Sequence, residues 1–153
     1  SQPALFRGAW NNSIPLKFTQ GGDTLKAKIL IADDSASMRS ILKDLLLRNG
    51  FDVAGEAENG KEVLALYEKI KPDVVTLDIM MPEMNGIQIL KEIKERYPES
   101  RVVMSASMGQ QELVVEAIRA GADDFFIKPV QTERVVEAIE KALHHRDSIF
   151  STK

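Results

Sequence analysis

Five times along this chain a short apolar run gives way to a segment whose apolar residues recur with helical spacing. Ala27 to Ala32 is followed by Met38, Ile41, Leu42, Leu45 and Leu46, and Phe51 to Ala57 by Val63, Leu64, Tyr67 and Ile70. Val74 to Asp78 is followed by Ile87, Leu90, Ile93 and Tyr97, and Arg101 to Met104 by Leu113, Val114, Ala117 and Ile118. The last run, Asp124 to Lys128, precedes Val135, Val136, Ile139 and Leu143. Asn49-Gly50, Pro72, Pro98, Gly121 and Pro129 punctuate the series as turn residues and stops. Asn59 and Thr132 are placed to cap the second and fifth helices, with Glu62 completing a capping-box-like start. Such alternation predicts an α/β fold with a parallel sheet covered on both faces. Right-handed crossovers then favour a doubly wound (βα)5 sheet of order 2-1-3-4-5.

The third run carries most information. Val74-Val75-Thr76-Leu77 reads as a strand buried on both faces, and it delivers Asp78 to its carboxyl end just before Pro82, Asn85 and Gly86 break the chain. Open α/β sheets bind ligands at that edge. The same edge should receive Asp33 and Asp34 from the first strand, Ser105 from the fourth and Lys128 from the fifth. Each has a bland reading: an Asp pair before a helix can be a cap, Asp78 a turn aspartate, Lys128 a solvated lysine. Together they are hard to obtain by accident. Three crowded carboxylates cannot all stay ionised without a counter-charge. A hard divalent cation such as Mg²⁺ supplies one from an all-oxygen site, and Lys128 supplies a point charge suited to a phosphoryl group. These parts point to phosphoryl transfer onto Asp78, giving an aspartyl-phosphate.

Composition narrows the alternatives. A net charge of −3 gives no electrostatic reason to expect nucleic acid or an anionic membrane as partner. The absence of cysteine excludes disulfides, thiolate metal sites and a cysteine nucleophile. No apolar stretch approaches the roughly 20 residues of a membrane span, and the first residues lack a signal-peptide pattern, so the expected location is cytoplasmic. Residues 1–26 show no sustained period, and Gly21-Gly22 reads as a flexible linker. Yet Leu5, Phe6, Trp10, Ile14, Leu16 and Phe18 are too apolar for an ordinary disordered tail, so docking onto the domain or onto a neighbouring chain stays open. His144 and His145 lack partners at metal spacing and read as a solvated helix end.

At this point the chain resembles a response-regulator receiver domain of the chemotaxis type, with flavodoxin-like strand order. The resemblance rests on Ile29-Leu30-Ile31-Ala32-Asp33-Asp34-Ser35, on Asp78 with Met81-Pro82-Glu83-Met84-Asn85-Gly86, on Ala120-Gly121-Ala122, and on Phe125-Phe126-Ile127-Lys128-Pro129. It runs from about Lys28 to His144. The expected organisation is therefore an extension or linker over 1–26, a receiver domain over 27–147 and a tail over 148–153.

The resemblance implies that Asp78 accepts a phosphoryl group from a sensor histidine kinase. It implies Mg²⁺ held by Asp34, Asp33, Asp78 and the main-chain carbonyl of Met80, with Lys128 pairing the phosphoryl group and a cis bond before Pro129. It implies a switch in which the fourth-strand hydroxyl moves inward and the aromatic three residues before the lysine, Phe125, rotates behind it. The output face would be the fourth helix, fifth strand and fifth helix, read by a protein target such as a flagellar motor switch, with a phosphatase as a further partner.

The chain departs from the pattern in one place. Counting back from Lys128, the hydroxyl position falls on Ala106, flanked by Ser105 and Ser107. Ser105 is the expected switch hydroxyl, with Ser107 as competitor. Apolar Met80 borders the site and is a candidate for slowing water attack on the phosphorylated form. The reading is a switch protein rather than a turnover enzyme, acting as a single domain, or alternatively as a receiver excised from a longer regulator. A phosphohydrolase with an aspartyl nucleophile would commonly place a second aspartate where Met80 stands. A nucleotide or flavin binder would need a glycine loop where the chain reads Asp33-Asp34-Ser35-Ala36-Ser37.

Overall fold

In the structure, a computed structural model, residues 18–20 and 23–151 are described. Five strands and five helices alternate: β1 (Lys28–Ala32), α1 (Ala36–Arg48), β2 (Asp52–Ala57), α2 (Gly60–Ile70), β3 (Val74–Asp78), α3 (Gly86–Arg96), β4 (Val102–Ser107), α4 (Gln111–Arg119), β5 (Asp124–Lys128) and α5 (Thr132–Ser151). The strands form one parallel sheet of order β2-β1-β3-β4-β5, the doubly wound arrangement read from the sequence.

Because successive residues of a strand point to opposite faces, each strand feeds two cores. Leu30, Val75, Leu77, Met104 and Ala106 join Val63, Leu90, Ile93 and Ala117 beneath α2, α3 and α4. Ile29, Ile31, Val74, Val103 and Phe126 join Leu42, Leu46, Val135 and Ile139 beneath α1 and α5. Each fully buried Leu or Ile contributes roughly 1.5–3 kcal/mol. β3 is buried at all five positions, which makes it the axis of the sheet.

The helix starts follow local chemistry. Ser35, Asn59 and Asn85 are N-caps whose side chains accept the N–H of Met38, Glu62 and Gln88. Three details differ from the sequence reading. Ile41 and Ile118 are exposed, because each lies at the border of its helix's apolar stripe while its neighbours do the packing. Helix α5 includes Thr132 as its first residue and continues to Ser151, past the boundary drawn at 147. Phe18–Gln20 and Asp23–Leu25 pair as a short antiparallel hairpin within the expected linker. Three-residue strands are too short to show a period, but two glycines between them are a hairpin-loop signal. Trp10 and the other apolar residues before Phe18 lie outside the described residues.

Candidate functional site

The carboxyl ends of β1, β3 and β5 converge. Asp33 follows β1 and is buried, held by its N–H to Ala57 O at 3.0 Å while its Oδ1 accepts the Ser35 N–H at 2.9 Å. Asp34 beside it is exposed. Asp78 closes β3, only 5% exposed, with Oδ1 accepting the Met80 N–H at 3.2 Å. One carboxylate oxygen from each of Asp33, Asp34 and Asp78 lies within 4.8 Å of the others. Lys128 ends β5 and reaches across the edge, its Nζ 3.2 Å from Asp33 Oδ2 and 3.2 Å from Asp78 Oδ2. The bond from Lys128 to Pro129 is cis.

Charge in the pocket is unbalanced, with three carboxylates facing one ammonium. Burial pushes the Asp78 carboxyl up from its ordinary value; Lys128 pulls it down, Asp33 pushes it further up, and the Met80 N–H opposes them weakly. Burial alone would lower Lys128, but Asp78 and Asp33 outweigh it and the ammonium is held above its usual range. Hard oxygen donors, clustered, one of them solvent-facing and together carrying excess negative charge, fit a divalent cation such as Mg²⁺.

Ser105 lies directly across from Asp78 in the β3–β4 register, fully buried, with an Oγ that has no hydrogen-bond partner. Its carbonyl accepts the Ile79 N–H at 3.0 Å, fixing the two strand ends together. Ser107 is exposed at the end of β4, its N–H taken by Gln110 Oε1. Met80 is 52% exposed beside the pocket.

The structure does not bring Ser105 and Phe125 together. Ser105 has the parity of Val103 and pairs with Phe126, which places it on the α1–α5 face. Phe125 packs on the opposite face, with Met104 and Ala106 as its same-face neighbours on β4. A direct exchange in which Phe125 fills the space left by Ser105 is therefore not available in this register. Two arginines escaped the sequence reading. Arg39 donates from Nη1 to the Asp33 carbonyl at 2.7 Å and from Nε to Glu56 at 3.2 Å. Arg134 bonds Asp124 and the Phe125 carbonyl. Neither has a spacing signal, since both contacts are made across elements.

A family model described as the response regulator receiver domain matches residues 29–140. The chain belongs to the response regulator receiver family. It is 53% identical over 117 residues to the chemotaxis protein CheY of Bacillus subtilis, covering 76% of this chain and 98% of that protein. Against CheY of Thermotoga maritima it is 53% identical over 114 residues, 74% of this chain and 95% of that one. The crystal structure of the response regulator domain of Thermotoga maritima CheB superimposes with a TM-score of 0.72 at 36% identity, covering 78% of this chain and 98% of that one. The residues outside the match include the whole 1–26 stretch. As a CheY-homologous receiver, the chain is a phosphorylation-dependent switch of a two-component system, which implies a histidine kinase upstream and a target downstream. No helix among the described residues is long and apolar enough to cross a membrane.

Proposed function

We propose that Asp78 is the phosphoacceptor of a chemotaxis-type receiver, and that the chain acts as a switch rather than as a turnover enzyme. The convergence of Asp33, Asp34, Asp78 and Lys128 in one pocket at the carboxyl edge carries this reading.

A carboxylate oxygen of Asp78 attacks the phosphorus of a phosphohistidine on the kinase. The new P–O bond forms as the P–N bond breaks, and the electron pair leaves with the imidazole, which takes up a proton. Asp78 is held for this by the Met80 N–H and by Lys128. The Lys128 ammonium, already at the attacking carboxylate, pairs with the arriving phosphoryl oxygens as a point charge. Ser105, with a buried and unpartnered hydroxyl across from Asp78, is the donor available on the α1–α5 face. Mg²⁺ would be held by Asp33, Asp34, Asp78 and the Met80 carbonyl, and when bound it neutralises charge on the transferred oxygens. The unit that carries this chemistry is residues 27–147 together with the remainder of α5. The proposed partners are a chemotaxis-type sensor kinase and a protein target, with a flagellar motor switch as the candidate target and a phosphatase as a further partner. All three would act where the expected cytoplasmic location places the chain.

Intact mass after incubation with Mg²⁺ and acetyl phosphate tests the proposal. One phosphoryl group should be gained by the wild type in a metal-dependent way and none by Asp78→Asn. An adduct that persists in Asp78→Asn, or no adduct on folded wild type, overturns the assignment.

A further inference from the structure

Phe125 is held from outside the sheet, and the group that holds it is Arg134. β5 is an edge strand, so main-chain groups on its free side have no neighbouring strand to pair with. At Phe125 side chains take both: the N–H is bonded by Asp124 Oδ1 at 2.8 Å, and the C=O by Arg134 Nη2 at 2.6 Å. The same Nη2 bonds Asp124 Oδ1 at 2.7 Å, so one carboxylate and one guanidinium close around the residue. The Arg134 guanidinium carbon also lies 5.3 Å from the centroid of the Phe125 ring, within reach of a cation–ring attraction. Asp124 is 4% exposed, which shields its pair with Arg134 from solvent. The second guanidinium arm, Nη1, goes to exposed Glu137 at 3.0 Å, while the bond to the Phe125 carbonyl is made by Nη2.

The ring so held borders two grooves. One, of about 440 Å³, lies between α4 and β5 and is lined by Val114, Val115, Ile118 and Ile127 as well as Phe125. The other, of about 410 Å³, opens toward Met108, Pro129, Gln131 and Arg134. Rotating the ring changes the shape of both at once. The ring packs against the α4-side core while Arg134 reaches it from α5 around the free edge of β5. The second groove is lined by Lys128 as well, whose ammonium holds Asp78, so the ring and the acidic pocket meet at that groove rather than through Ser105.

We propose that Arg134 is the positioning residue for Phe125. With Asp124 it holds the ring in the orientation that separates the two grooves, and it thereby biases how readily the Asp78 site drives the output face. The second part rests on Asp78 being the phosphoacceptor; the first does not.

The test uses the full chain labelled with 4-fluorophenylalanine, its Phe125 resonance assigned by loss in Phe125→Leu. Fluorine spectra are recorded with Mg²⁺ while beryllofluoride, a phosphoryl mimic, is titrated. In Arg134→Ala the Phe125 resonance should move or broaden, and the half-saturating beryllofluoride concentration should change by at least about threefold, as reciprocal coupling requires. Glu137→Ala should leave both unchanged. Should Arg134→Ala fail to fold, the double variant Arg134→Ala, Asp124→Asn removes the stranded carboxylate and is read in the same way. A resonance that stays at its wild-type position in a folded variant overturns the proposal. So does one that moves while half-saturation is unchanged, which would leave Arg134 a structural residue only. If beryllofluoride fails to alter even the wild-type spectrum, the phosphoacceptor reading falls instead, and the position of the Phe125 resonance still decides the clamp.

Discussion

Lys128 holds two buried carboxylates with one ammonium, and Asp78 remains raised despite it because burial and Asp33 together outweigh the lysine. Folding therefore makes Asp78 bind its proton more readily than the unfolded chain does, and its ionised form destabilises the native state. Asp78→Asn removes that charge and should raise stability at neutral pH by roughly 0.5–2 kcal/mol, as is common where a functional site is strained. The gain belongs to the ionised carboxylate, so it should shrink as the pH falls from about 7 toward about 4 and Asp78 in the wild type takes up its proton. Lys128→Ala has the opposite sign. It leaves two carboxylates facing each other and should cost about 2 kcal/mol at pH 7, below the usual loss for a buried pair because the lysine is partly exposed. Thermal melts across the pH range check both, and an Asp78→Asn advantage that grows on acidification would contradict the charge account.

At the scale of an element, the turn from β3 into α3 is the tightest constraint. Gly86 opens α3 behind the Asn85–Gln88 capping box, and a methyl group there would meet the Asp78 carbonyl and stand 2.8 Å from the Ile79 Cα. These are backbone atoms and cannot swing aside. Gly86→Ala should cost about 3 kcal/mol and displace the strand end that carries Asp78, so chemical denaturation and acetyl phosphate labelling should fall together. A variant with unchanged denaturation midpoint and labelling rate would show that the turn has room to relax. This element was legible in the sequence, because Asp78, Pro82 and Asn85-Gly86 mark a strand end, a stop and a helix start by local chemistry alone. The alternation of five runs likewise reported the sheet, and the polar strand ends reported Asp33, Asp34, Asp78 and Lys128. The face on which Ser105 lies was not legible. Side-chain direction in a strand reverses with every residue, so a one-residue offset between Ser105 and Ala106 exchanges the α1–α5 face for the α4 face. Only the β4–β5 register, Ser105 beside Phe126 and Met104 beside Phe125, decides it. The contacts of Arg39 and Arg134 were hidden for a related reason, since they join residues 6 to 17 positions apart through the packing of helix on sheet.

Across the whole molecule, the acidic pocket joins the ends of three strands to α1 through Arg39, so a ligand there holds elements distant in sequence. A ligand that binds only the folded chain stabilises it by RT ln(1 + [L]/Kd), about 2.7 kcal/mol at one hundred times Kd. For a chain of this size that corresponds to a rise in Tm of roughly 10 °C. Asp34 separates this linkage from ordinary stability. Its carboxylate is exposed and makes no hydrogen bond or ion pair with the described residues, so Asp34→Asn should change the metal-free stability by no more than about 0.5 kcal/mol. The same variant should lose most of the Mg²⁺-induced rise, because one of three clustered donors has become neutral. Melts with and without saturating Mg²⁺ decide the matter: an equal rise in wild type and Asp34→Asn would place the ion elsewhere on the surface. The linkage also bounds the switch, since moving the output face from 1:99 to 99:1 takes about 5.5 kcal/mol of differential binding. Metal alone at one hundred times Kd falls short of that even if it bound one state exclusively, and under the proposed function the remainder comes from a phosphoryl group on Asp78.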